Sequence, residues 1–138
     1  TSPTPERSSV PHDATDVLLD RLLASDPPLR LSLARARDAA SDAVEQRLLD
    51  LATARAALLL GVDAGPESVS PAGDDRERAC VALVDQMVID VTGVDDVLVQ
   101  RVADHLGDDG AATFVAATLV VEQRIRLRAM WHHLGLAP

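Results

Sequence analysis

Apolar residues recur at three- and four-residue intervals through most of this chain, and the rhythm breaks at a few Pro, Gly and Asp positions. That period belongs to α-helices with one buried face, and no stretch shows the strict alternation of a half-buried strand. The pattern predicts six helical segments. The first runs from about Thr15 to Ala24 and stops at Ser25-Asp26-Pro27-Pro28. Prolines fit a first helical turn, so Asp26 caps a second helix from Pro27 to about Ala40, with Leu29, Leu33, Ala36 and Ala40 as its seam. Asp42 followed by Glu45 has capping-box spacing and opens a third helix ending near Gly61. Val62 to Asp74 is the longest internal loop. Asp74 and Glu77 repeat the capping box and open a fourth helix to about Asp90, broken by Thr92-Gly93. A fifth ends at His105 before Gly107, and a sixth, capped by Asp108 or Asp109, runs to Gly135. Residues 1 to about 12 are rich in Ser, Thr and Pro and read as a mobile tail. The expected architecture is therefore a single all-α bundle over residues 13–138, with the third, fourth and sixth helices at its centre.

Charged residues interrupt two of the apolar faces. On the sixth helix Phe114, Ala117, Val120, Val121, Ile125 and Leu127, continued by Trp131 and Leu134, form one broad stripe. Arg124, Arg128 and His132 fall inside it one turn apart, while Glu122, Arg126 and His133 point the other way. A guanidinium cannot lose its charge, so burying one demands a carboxylate, a phosphate or water. The row is a candidate anion site; the competing view is of snorkelling side chains or internal ion pairs. The third helix repeats the anomaly, with Arg55 in the middle of Val44, Leu48, Leu51, Ala52, Leu58 and Leu59, and Glu45 at the edge. On the fourth helix Cys80, Leu83, Val84 and Met87 mark the core side, with Asp90 at its border and Asp85 just outside. Arg55, Arg124 and Arg128 thus tend inward against two candidate carboxylates, Glu45 and Glu77, which leaves room for an anionic ligand. His132 titrates near neutrality and is a candidate general acid or base, against a role in capping or at an interface. Trp131 could wall a substrate site, or pack in the core or between subunits. Cys80, on an apolar face, behaves as a small hydrophobe.

Composition narrows the choice. The chain has 138 residues, enough for one domain with a real core, and its 47% hydrophobic content is almost all Ala, Leu and Val. With one Phe, one Trp and no Tyr it offers little on which to stack bases or sugars. A net charge of −9 argues against a nucleic-acid footprint. All 13 basic residues are Arg, a bias of high-GC genomes such as actinobacterial ones, so Arg in place of Lys says little about function. One Cys and four scattered His give neither a disulfide nor a zinc pattern, and no metal or cofactor is expected. No apolar run is long enough to span a bilayer and no signal peptide is visible, so a cytoplasmic protein without membrane contact is the expectation.

Three segments carry a family resemblance: VEQRLLDLATARAALLLG, DDRERACVALVDQM with its Asp85, and the closing stretch from VDDVLVQRVADHLGDD to the Leu-Gly-Leu tail. From about Pro27 to Pro138 the chain resembles the carboxymuconolactone decarboxylase-like, or alkylhydroperoxidase D-like, family. The resemblance implies that family's helical fold and a homo-oligomer, a trimer or a multiple of one. Trp131, Met130 and Leu119, spread round the last helix, independently exceed what one small bundle can bury. Peroxidase members of the family place a Cys-x-x-Cys-x-x-x-His motif downstream of a helix glutamate. Counting from Glu45, the corresponding positions are Ala57, Leu60 and Ala64, none able to attack a peroxide or relay a proton. The histidine that the decarboxylase branch keeps in that region is missing too, and only Glu45 carries over. Thiol peroxidase chemistry is therefore not expected.

Two functions compete. One is a non-redox enzyme of small-molecule, biosynthetic metabolism, acting on a small anionic molecule by cyclisation, isomerisation, lactone or decarboxylation chemistry. There Arg124, Arg128 and Arg55 would hold a carboxylate or enolate while His132 or Glu45 moves a proton. The other is a catalytically inactive oligomeric module that binds a ligand or a partner protein. The missing motif favours the second and the polar row inside an apolar stripe favours the first, and the sequence leans to the enzyme.

Overall fold

Asp26 opens the fold as its sequence neighbours require. Its carboxylate accepts the backbone N–H of Leu29 at 3.2 Å, and Pro27 and Pro28 occupy the first turn of α1 (Pro27–Ala43). The computed structural model describes residue 21, residues 24–62 and residues 69–135, the side chains of Trp131 and His132 excepted. The expected tail and most of the expected helix at Thr15–Ala24 lie outside the described residues. After α1 come α2 (Gln46–Leu59), α3 (Asp75–Ile89), a 3₁₀ turn at Val91–Gly93 and α4 (Asp96–His133). Among the described residues all regular structure is helical, as the apolar periodicity requires. No helix of the described residues is long and apolar enough to cross a membrane.

One boundary departs from the sequence expectation, and the break expected at Gly107 is present within a longer helical run. Asp42 lies inside the last turn of α1, and Glu45 stands at the N-cap of α2 without capping it, because its carboxylate is taken by Arg76. The expected fifth and sixth helices form one helical run, Asp96–His133, broken inside by Gly107 at φ 81° and ψ 167°. That conformation is open almost only to glycine. Where α3 begins, the expected cap is present: Asp74 accepts the Glu77 N–H at 2.7 Å.

The direction of α3 follows from its ion pairs with α2. Arg47 meets Glu77 and Arg55 meets Asp85, the same separation of 30 positions in both cases, so the two helices run parallel. A parallel pair needs a returning connection, and Arg47 holds its end, donating to the Ser70 hydroxyl at 3.0 Å and the Pro71 carbonyl at 2.9 Å. The first arm of α4 descends beside α3, with Arg101 and His105 across a cleft from Asp75 and Arg78. Past Gly107 the second arm returns, and Arg126 reaches the Val88 carbonyl at the far end of α3 at 3.3 Å.

The core lies between these helices. Leu48, Ala52 and Ala56 of α2 pack with Leu83, Val84 and Met87 of α3 and with Val102, Phe114 and Ile125 of α4. Phe114, the one Phe of the chain, is 1% exposed. Small alanines let the helices approach closely, and one aromatic ring fills the space that Ala, Leu and Val leave. The other side of α4 packs on α1, where Ala36, Ala39, Ala40 and Ala43 face Thr113, Ala116 and Val120 across an apolar groove of about 280 Å³.

Candidate functional site

The second arm of α4 has two apolar faces, and this relocates the polar row. Its buried positions Ala111, Phe114, Ala117, Thr118, Glu122 and Ile125 follow a narrower stripe than the sequence suggests. Val120 belongs to the groove against α1. The broad stripe read from the sequence merges these two faces, and its apparent centre falls between them. Glu122, expected to face solvent, is buried at 8% residual exposure, and Arg126 beside it is exposed. Arg126 donates from Nε and Nη2 to the same Glu122 oxygen, at 2.9 and 2.7 Å. Arg124 and Arg128 are only partly buried. The side chains of His132 and Trp131, expected to serve as acid or base and as substrate wall, lie outside the described residues.

The candidates on α2 are committed to α3. Arg55 is not in the middle of the buried face, which consists of Leu48, Leu49, Leu51, Ala52, Ala56 and Ala57; its side chain keeps 38% of its exposure. Both Asp85 oxygens accept from it, one of them at 3.1 Å, and this pairing holds the guanidinium in its charged form. Leu58, placed with the core by the sequence, is exposed. Glu45 is half-exposed and accepts two hydrogen bonds from Arg76, at 2.7 and 3.1 Å. Those bonds hold its carboxyl below the usual carboxylate range. Glu77 accepts two 3.1 Å bonds from Arg47 and the Gly73 N–H at 2.9 Å. Arg47 first, then the Gly73 amide, lower its pKa to about 2. Among the described residues Glu45 and Glu77 thus pair with Arg76 and Arg47, and Arg55 with Asp85.

Sequence reasoning did not single out Arg47 or Arg76, and it set Asp85 aside. A signal was present: Arg47 and Arg55 are eight residues apart on α2, as Glu77 and Asp85 are on α3, which is the spacing of a parallel ladder.

Cys80 is 1% exposed, and burial pushes its thiol up to about 11. The Thr118 hydroxyl is fully buried and has no hydrogen-bond partner among the described residues. Between α3 and the first arm of α4 lies a cleft of about 480 Å³ lined by Asp75, Arg78, Arg101, Asp104 and His105 over a floor of Ala79 and Ala82. Its walls alternate in sign, and Asp75 is held ionised by a 2.7 Å bond from Arg78. Among the described residues no group of three or more His, Cys, Asp or Glu side chains is placed to hold a metal ion. No protein-family model, no curated protein and no solved structure matches the chain.

Proposed function

We propose that this chain is an oligomeric helical module of the cytoplasm that binds a partner rather than transforming a substrate, on a carboxymuconolactone decarboxylase-like fold and without metal or cofactor. One observation carries the reading: Glu45, Glu77, Asp85 and Glu122 each sit against an arginine of their own. A general acid or base works best with a pKa near the operating pH and an open approach to its oxygen. Glu45 and Glu77 instead lie below the ordinary carboxylate range with their oxygens occupied. Cys80 is shielded and protonated at neutral pH, which removes the one thiol as a nucleophile. Three of these pairs, at Glu45, Glu77 and Asp85, tie α2 and its N-cap to α3, and the fourth lies within α4. Sedimentation velocity over roughly 1–100 µM tests the reading, because self-association follows mass action. An oligomer is expected, a trimer or its multiple if the family resemblance extends to assembly, and a monomer throughout that range overturns the reading.

Arg128 favours a second reading, a non-redox enzyme holding a small anionic substrate. It is partly buried, stands one turn before His132 on α4, and has no hydrogen-bond or ion-pair partner among the described residues. With Arg124 it would hold a carboxylate while His132 moves a proton. Arg128→Met should then abolish binding of small carboxylates with the melting temperature unchanged. Equal heats of carboxylate titration for the variant and the parent would remove this reading.

A further inference from the structure

Large apolar side chains left in solvent gather at one end of the described bundle. Leu58 lies 30 positions before Val88, the separation of the Arg55–Asp85 pair, so the parallel register sets it level with the last turn of α3. Ile89 and Val91 follow at that end, and Val97 stands in the first turn of α4 just beyond the 3₁₀ turn. The second arm of α4 returns there, since Arg126 touches the Val88 carbonyl, and Met130 and Leu134 lie one and two turns further on. All six side chains are more than half exposed.

We propose that this end of the bundle is an interface between two copies of the chain, a proposal that rests on the oligomeric reading above and gives it a surface. Area supports a second copy as the occupant. Side chains of this size at such exposure offer on the order of 70 Å² of apolar surface each. The six together reach roughly 400 Å², within the range of the largest patches, which are often functional. Two such patches face to face bury about 800 Å² of apolar area. At the apolar share of about 65% found in homodimers, that corresponds to roughly 1,200 Å² in all, the threshold of a specific interface.

Charge supports the same occupant. A chain of net charge −9 repels its own copy unless edges of opposite sign meet. This end has both signs: Asp90, Asp95 and Asp96 flank the α3–α4 connection, and Arg128, beside the half-exposed Arg126 that Glu122 partly neutralises, lies on the last turns of α4. A twofold axis through the apolar patch sets the acidic edge of each copy against the arginine edge of the other. An anionic lipid surface meets the net charge and the acidic edge and is repelled.

Sedimentation velocity on the full chain, on Ile89→Glu and on Leu119→Glu tests the assignment. Both substituted side chains are exposed, and Leu119 lies on α4 away from this end. Ile89→Glu should weaken association at least roughly a hundredfold, because it buries an unpaired charge, with helicity and dilute-solution melting unchanged. Leu119→Glu should associate like the parent. Association that Ile89→Glu leaves intact and Leu119→Glu abolishes overturns this interface while leaving the oligomeric reading standing. A parent that stays monomeric overturns both.

Discussion

Replacing Arg126 by methionine tests whether Glu122 belongs to the scaffold. Glu122 keeps 10% of its side-chain exposure and Arg126 keeps 49%, so one partner is desolvated and the other is half in water. Breaking a fully buried pair costs about 3–5 kcal/mol, and an exposed pair contributes about 0–1 kcal/mol. The mixed geometry places Arg126→Met between them, at about 1–3 kcal/mol, with loss of the bond to the Val88 carbonyl included. For a domain of this size each kcal/mol moves the melting temperature by about 3–4 °C, so the variant should melt about 3–12 °C below the parent.

The companion change has the opposite expectation. Glu122→Met replaces a buried carboxylate by an apolar side chain of similar volume, which is neutral or slightly stabilising when the remaining arginine can turn to solvent. Arg126 is exposed enough to do so. The double variant should then recover most of the loss, with a coupling of about 1–3 kcal/mol in the cycle. Thermal and urea melts followed by circular dichroism at pH 7 give all four corners. If Arg126→Met melts with the parent, Glu122 is hydrated and not held by Arg126, and the assignment of this arginine to the scaffold fails.

Three further outcomes are expected. Glu77, with its pKa lowered to about 2, and Glu45, Asp75 and Asp90, each lowered, contribute stability that is complete above their unfolded pKa values. That stability is lost as pH falls through the folded values, so melting temperature should drop between about pH 5 and pH 2, and Glu77→Gln should flatten the drop. The Cys80 thiol, buried and raised to about 11, should react with a thiol reagent at neutral pH only as fast as the fold opens; a burst of labelling in the native protein contradicts its placement. Gly107→Ala puts a Cβ on a backbone at φ 81° and should cost about 1–3 kcal/mol in a denaturant melt although no atom stands near the new carbon; an unchanged midpoint removes the break in α4.

The elements were legible because their signals are local. Asp26 before two prolines, Asp74 before Glu77, and Gly107 and Gly135 at positive φ mark helix ends in the sequence and in the structure alike. Orientation round the helix axis was less legible. An α4 that packs on α1 with one face and toward α3 with another has apolar residues over most of its circumference, so a single-stripe reading centres between the two. That misplacement turned Glu122 outward and drew Arg124 and Arg128 inward. Partner identity was the least legible, since Arg55 could have met any of several acids and only the parallel course of α2 and α3 selects Asp85.

That parallel course also explains why so many charges sit beside a core of small residues. Faces made of Ala, Leu and Val repeat themselves every turn, and a slip of α2 along α3 by one turn would exchange one aliphatic contact for another at little cost. Arg47 with Glu77 and Arg55 with Asp85 remove that degeneracy, because their matched eight-residue spacing satisfies both pairs in one register. A slip of three or four residues strands all four charges at once. Arg47 adds a further condition by holding Ser70 and Pro71, so the returning loop closes only when the register is right. Partly buried ion pairs add little net stability but can specify one arrangement among similar ones. A carboxylate used in this way has its oxygens occupied by its partner. Glu45, the acid to which the sequence gives a chemical role, is held in the same manner by Arg76 of α3.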